Sequence, residues 1–174
     1  SQFTPFSAID RNFVSYANLL VPAIKYGLKK MILISSMDVY GAQQAPFHED
    51  MRTQPEDIYG ISKASMEHMT EVLAKIYNFR YVIIRPHNVY GPRQNLSDPY
   101  RNVLGIFINR LLHNKHFYIY GDGEQKRAFS YINDITEVVA DICFNAKCEG
   151  RIFNVGSDYV TTVNALGTLV LREF

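Results

Sequence analysis

Charge of one sign, cysteine, glycine-rich loops and long apolar runs are all scarce in this 174-residue chain, and each scarcity removes a class of function. Eighteen Lys and Arg stand against seventeen Asp and Glu, a formal net charge of +1. Lys29–Lys30 is the only adjacent lysine pair, so the sequence carries no electrostatic footprint for nucleic acid or an anionic membrane surface. No run approaches the roughly 20 apolar residues of a membrane span, and Ser1–Asp10 lacks the basic-then-apolar layout of a secretory signal. Cys143 and Cys148 lie in a helix-like stretch at a spacing that suits neither a metal site nor a disulfide framework. Both are read as reduced thiols of a cytoplasmic protein. His113 and His116 are not followed by the carboxylate of a metalloprotease pattern, so they read as a solvated helix end and no metal is expected. The ten glycines include no G-x-G-x-x-G. Gly121-Asp122-Gly123 comes nearest, in a hairpin-like turn instead of ahead of a helix. Any binder of a dinucleotide pyrophosphate is therefore expected outside this chain, and the 174 residues alone are expected to bind no dinucleotide measurably and to show no activity.

What is present is ordinary globular composition, 47% apolar and 20% charged, in an alternating pattern. Phe13, Leu19, Leu20, Ala23 and Ile24 recur at helical spacing over 8–27, with Gly27 as the stop. Met31–Ile34 reads as a buried strand ending at Ser35–Ser36. Pro55-Glu56-Asp57 suits a helix first turn, and that helix, running to about Tyr77, should bury Met66, Met69, Val72, Leu73 and Ile76. Tyr81–Arg85 reads as a second buried strand. A loop at 91–99, a helix at 102–113, strands at 117–120, 128–132 and 152–155, and helices at 134–146 and 163–174 complete the pattern. The order implies parallel strands with crossover helices. The expected fold is α/β: the C-terminal part of a doubly wound, Rossmann-like parallel sheet over 1–91, then the start of a smaller α/β substrate lobe over 92–174. Both ends read as truncated.

The spacing that carries chemistry is Tyr59-Gly-Ile-Ser-Lys63. Four residues is about one helical turn, so phenol and ammonium share a face. A cation beside a phenol favours the phenolate, lowering a pKa ordinarily near 10. Such a tyrosine exchanges a proton with a substrate hydroxyl while hydride leaves the same carbon. With twelve tyrosines, a chance match to the spacing is no surprise, and Tyr26/Lys30 is one, but that pair straddles the helix stop at Gly27. Context separates the two. Ser35–Ser36 ends a strand upstream of Tyr59, the next strand ends in Arg85-Pro86-His87-Asn88, and ligands of open α/β sheets sit beyond the carboxyl ends of strands.

Ser35-Ser-Met-Asp-Val-Tyr-Gly41, Tyr59-Gly-Ile-Ser-Lys63 and Arg85-Pro-His-Asn-Val-Tyr-Gly-Pro-Arg93 resemble the extended short-chain dehydrogenase/reductases, and most closely their UDP-glucose 4-epimerase-like nucleotide-sugar epimerases. Gly121-Asp-Gly-Glu-Gln-Lys-Arg127, Phe129-Ser-Tyr-Ile-Asn-Asp134 and Phe153-Asn-Val-Gly156 resemble that family's later segments. The resemblance implies NAD, with NADP less favoured, as cofactor and a UDP-hexose as substrate. It implies Tyr59 as acid/base, Lys63 as the cation lowering its pKa and bonding the nicotinamide ribose, and Ser36 as holder of the reacting sugar hydroxyl. Asn12, Ser35, Pro86 and His87 match cofactor-facing positions. Asn88 and Asn102 match the asparagines on the nucleotide phosphates, Tyr118 and Tyr120 flank the base, and Arg127 meets the diphosphate, where a planar fork pairs two oxygens at once. The helices at 8–27 and 55–77 resemble an intersubunit bundle and imply a homodimer.

Departures bear on the reaction. Dehydratases of this superfamily carry Asp-Glu after the Ser/Thr, but here Met37 and Asp38 follow Ser36. Met37 cannot protonate a leaving hydroxyl, which counts against 4,6-dehydration, while Asp38 keeps one carboxylate in the loop. Epimerisation leads; a dehydratase, decarboxylase or reductase on the same scaffold, or a non-catalytic scaffold, are the competing readings. A serine hydrolase is disfavoured, because Ser35 and Ser36 lack a glycine-flanked strand-to-helix turn.

Overall fold

The computed structural model describes residues 5–98 and 102–174, so the end of the expected 91–99 loop lies outside the described residues. Two compact units emerge: the first runs up to Pro86 and takes in Val138–Val155, and the second comprises His87–Glu137 and Gly156–Phe174. The division thus falls after Pro86, not after residue 91. The chain also returns to the first unit late, because the Arg151–Val155 strand finds its hydrogen-bonding partner there.

In the first unit, strands β1 (Lys30–Ile34), β2 (Arg80–Pro86) and β5 (Arg151–Val155) form a parallel sheet in the order β1-β2-β5. The registers Ile34↔Ile84 and Ile84↔Phe153 align the carboxyl ends of all three strands. Val82, Ile83 and Ile84 of the central strand are wholly buried, the mark of a strand covered on both faces; each contributes roughly 1.5–3 kcal/mol of burial. On β1 only Leu33 is buried, whereas Ile32 and Ile34 are exposed. The expectation of a fully buried strand fails there, since no described layer covers that face of the edge strand.

The first helix is not uniform. A turn, α1 (Pro5–Ala8), leads into a π-helical stretch at Ile9–Val14 and then α2 (Ser15–Lys25), which contains Pro22. Gly27 at φ 80° ends it, with its N–H donating to the Ile24 carbonyl at 3.0 Å. The long helix α3 spans Ile58–Tyr77. Its N-cap is Asp57, whose carboxylate accepts from Gly60 N–H at 2.6 Å, and Asn78 closes it in the left-handed region. Pro55 and Glu56 therefore precede the helix and do not form its first turn. Tyr16, Leu20, Leu33, Met66, Ala74, Phe79 and Ile83 make the core beneath. Val72 and Ile76, expected inside, are exposed together with Leu19.

The second unit has strands β3 (Asn88–Tyr90), β4 (Lys126–Tyr131) and β6 (Val160–Thr162), with β4 parallel to β3 and antiparallel to β6. Helices α4 (Val103–Leu112) and α6 (Val163–Glu173) pack around Phe107, Val163, Leu166 and Val170. Helix α5 (Ile132–Phe144) begins directly after β4, two residues before the expected start. The strand expected at Phe117–Tyr120 is absent: those residues pair in no ladder. Phe117 and Ile119 pack on the core while Tyr118 and Tyr120 stand exposed, an alternation that mimics a strand without a partner.

Candidate active site

The first unit's candidate groups gather at the carboxyl end of β1. After Ile34 the chain is pinned once more to β2, Ser35 N–H donating to the Ile84 carbonyl at 2.7 Å. Ser36 then N-caps a 3-10 turn, Met37–Tyr40, by accepting from Asp38 N–H at 3.2 Å. Its hydroxyl donates to Asp38 Oδ2 at 3.1 Å. Met37 is not aimed at chemistry; it packs against Val39, Tyr40 and Ala64.

Helix α3 brings Tyr59 and Lys63 to this end of the strand. Lys63 Nζ donates to the Ile34 carbonyl at 2.9 Å and lies 5.7 Å from the Tyr59 ring centroid. The ammonium is therefore held one residue before Ser35–Ser36, and on the same helix turn as the phenol. Burial pulls the Lys63 pKa below its ordinary value, and the Glu67 carboxylate one turn along opposes that shift. Gly60 lets the helix come this close: a Cβ there would stand 2.6 Å from the Asp38 carbonyl oxygen. Asn12, on the π-helical stretch, donates through Nδ2 to Ser62 Oγ at 3.0 Å, and Ser62 donates to the Tyr59 carbonyl at 2.7 Å. Its amide thus braces the helix that bears the tyrosine.

Ser35 is 2% exposed, and its Oγ has no hydrogen-bond partner among the described residues. A buried hydroxyl left in that state costs roughly 1–3 kcal/mol unless a ligand group satisfies it. Its place beyond the end of β1 fits the crevice where dinucleotides bind in such sheets.

Arg85 departs from expectation. It does not line a crevice at the strand end; it is 2% exposed and forks onto Glu67, Nε to Oε1 at 3.0 Å and Nη2 to Oε2 at 2.6 Å. The third nitrogen, Nη1, donates to Tyr40 Oη at 2.5 Å, and Tyr40 donates to Asn154 Oδ1 at 2.9 Å. Sequence reading singles out neither Glu67 nor Tyr40. The available signal is a carboxylate among Met66, Thr70 and Ala74 on the buried face of α3, matched by an arginine inside an apolar strand.

In the second unit, Asn88 Nδ2 donates to the Ala128 carbonyl at 3.0 Å. Asn102 caps α4, its Oδ1 accepting from Leu104 N–H and its Nδ2 donating to the Val89 carbonyl, each at 3.0 Å. Both ends of the Asn102 amide thus serve the fold. Tyr118 and Tyr120 are 67% and 84% exposed, and Arg127 is exposed on β4. Its guanidinium donates to the Lys126 carbonyl at 3.0 Å. His87 packs against Gly156, where any Cβ would collide with the imidazole ring.

Burial holds His87 below its ordinary pKa of 6.5, with Asp158 opposing. As the pH falls past that ordinary value, the unfolded chain takes up the proton first. Stability present above 6.5 is then lost as the pH falls through the lower, folded value. Denaturant midpoints measured across that window should decline for the parent chain, and the decline should be smaller in His87→Gln.

Among the described residues no helix is long and apolar enough to cross a membrane, and no group of three His, Cys, Asp or Glu is placed to hold a metal. A family model described as the NAD dependent epimerase/dehydratase family matches residues 2–156. The chain is 34% identical over 166 residues to a putative UDP-glucose 4-epimerase of Methanocaldococcus jannaschii, covering 94% of this chain and 53% of the relative. It is 35% identical over 159 residues to a UDP-N-acetyl-alpha-D-glucosaminuronate decarboxylase of Bacillus cytotoxicus, covering 86% of this chain and 47% of that protein. Among solved structures, the UDP-glucuronic acid 4-epimerase of Bacillus cereus in complex with UDP-glucuronic acid and NAD aligns with a TM-score of 0.83 at 31% identity, over 92% of this chain and 50% of the other. The chain thus spans about half the length of these relatives. With a parallel Rossmann-like sheet, a Tyr–Lys pair at the end of its edge strand and a family model matching most of its length, the chain belongs to the NAD-dependent epimerase/dehydratase family.

Proposed function

We propose that the protein carrying this chain is an NAD-dependent nucleotide-sugar 4-epimerase acting on a UDP-hexose, with Tyr59 as its acid/base. The observation that carries the reading is the seat of Lys63, at hydrogen-bond distance from the last residue of β1 and beside the Tyr59 ring. The first unit serves as part of the NAD-binding domain and the second as part of the nucleotide-sugar lobe. Tyr59, Lys63, Ser35, Asn12, Pro86 and His87 face the cofactor; Ser36, Asn88, Tyr118, Tyr120 and Arg127 face the substrate, while Asn102, whose amide is spent on the start of α4 and on β3, supports that side without contacting it. The apolar side chains of Leu19, Val72 and Ile76 left exposed on α2 and α3 support a homodimer through those helices, and the protein works in the cytoplasm.

When bound, NAD supplies the acceptor and donor of hydride. The chain's own groups do the rest. Ser36 Oγ holds the sugar hydroxyl, and Tyr59 removes its proton as the carbon is oxidised, then returns it after the keto-sugar has turned over. Lys63 favours loss of the phenolic proton through its charge, and its bond to the Ile34 carbonyl fixes where that charge acts. Tight contacts to the nucleotide and loose contacts to the sugar permit the turn.

Incubation with UDP-hexoses and UDP-hexuronates, read by mass and by sugar stereochemistry, tests the reading. An epimer of unchanged mass is expected. Loss of water or carbon dioxide would replace it with the dehydratase or decarboxylase reading, for which Asp38 beside Ser36 supplies a carboxylate.

A further inference from the structure

The polar cluster beneath α3 is built from groups that water would otherwise solvate. Glu67 and Arg85 are each 2% exposed, and both carboxylate oxygens of Glu67 are taken by the guanidinium. Tyr40, wholly buried, accepts from Arg85 through its hydroxyl; its ring centroid lies 4.7 Å from the guanidinium carbon, and the ring stacks on Phe47. Asn154 of β5 accepts from Tyr40, donates its backbone N–H to Glu49 Oε1 at 2.8 Å, and donates through Nδ2 to the Phe47 carbonyl.

Taking two charges out of water costs several kcal/mol per ion, so a well-packed apolar pair would serve stability as well or better. What an apolar pair cannot supply is direction. A bidentate fork fixes the angle as well as the distance between its partners, and this one joins the segments on which the candidate groups stand. Glu67 is one turn from Lys63 on α3. Tyr40 ends the 3-10 turn that Ser36 caps. Arg85 is the penultimate residue of β2, next to the strand that Lys63 touches.

We infer that Glu67 and Arg85, bridged by Tyr40, are positioning residues: the buried fork fixes the rotation of α3 against the Ser36 turn, and so places Lys63 and Tyr59 at the end of β1. This rests on the reading of Tyr59 and Lys63 as acid/base and cation. Arg85 and Glu67 themselves touch no substrate; they act through the helix they hold.

The test uses the full-length protein and the double variant Glu67→Met/Arg85→Met, which removes one charge of each sign and fills the same volume with apolar groups. Three quantities are read: the thermal midpoint, the steady-state constants, and the titration of Tyr59 followed by ultraviolet difference spectroscopy against Tyr59→Phe. The thermal midpoint should stay within a few degrees of the parent. The kcat should fall on the order of tenfold to a hundredfold with KM nearly unchanged, and the Tyr59 titration should move to higher pH as Lys63 loses its seat. A stable double variant with parental kcat and an unmoved titration would overturn the inference. Where the double variant does not fold, Arg85→Lys decides. It keeps the charge and loses the fork, and unchanged kcat and titration in that variant likewise overturn it. The titration needs neither substrate nor cofactor, so a parent protein that epimerises nothing would sink the proposed function while leaving this inference to be judged on its own readout.

Discussion

Tyr59→Phe should lower kcat by roughly 10²–10⁴-fold, the range that a positioned acid/base contributes. The substitution removes one oxygen. The ring remains where Lys63 lies 5.7 Å from its centroid, and the helix around it keeps its Asp57 cap and its Gly60 contact. Folding stability should therefore change by about 1 kcal/mol or less, and affinity for NAD and nucleotide should hold, because those contacts are assigned chiefly to other groups. Steady-state kinetics beside a thermal melt separates the two effects. A large fall in kcat with an intact melt is expected; parental kcat would mean that another group moves the proton.

Gly60→Ala should damage the site by a different route. In an unconstrained helix the exchange would stabilise by about 1 kcal/mol. Here the new Cβ would stand 2.6 Å from the Asp38 carbonyl oxygen and 2.9 Å from Pro55 Cβ, with Asp57 Oδ1 at 3.1 Å. The first two belong to a backbone and a proline ring, which do not swing aside, so overpacking of about 1–3 kcal/mol outweighs the helix gain. Relief requires the first turn of α3 to move away from the Ser36 turn, and that first turn carries Tyr59. The expected result is a lowered thermal midpoint with kcat reduced on the order of a hundredfold. A more stable and fully active Gly60→Ala would contradict the close approach of helix and turn.

The legible parts of the molecule are those whose signal is local. Met31–Ile34 and Tyr81–Arg85 announce parallel strands by their branched runs, and both pair as such. Tyr59 and Lys63 share a face because helical spacing dictates it. Other features depend on partners distant in sequence. The three-residue strands β3 and β6 have no periodicity to read; only β4 between them makes them strands. Phe117–Tyr120 has the right alternation and no partner. The Arg85–Glu67 fork joins residues on two elements, each of which looks anomalous alone, and the assignment of Arg85 to the crevice follows from reading β2 without α3. Asn102 matches a phosphate-facing position, yet its amide caps a helix and ties it to β3, a use that sequence position does not reveal.

The most direct measurement is a crystal structure of the full-length protein with NAD and a UDP-hexose. Tyr59 Oη and Ser36 Oγ should then lie about 2.6–3.2 Å from one and the same sugar hydroxyl, with Lys63 Nζ beside the phenol. A bound sugar whose reacting hydroxyl meets other side chains, with Tyr59 turned against protein, would contradict the assigned roles.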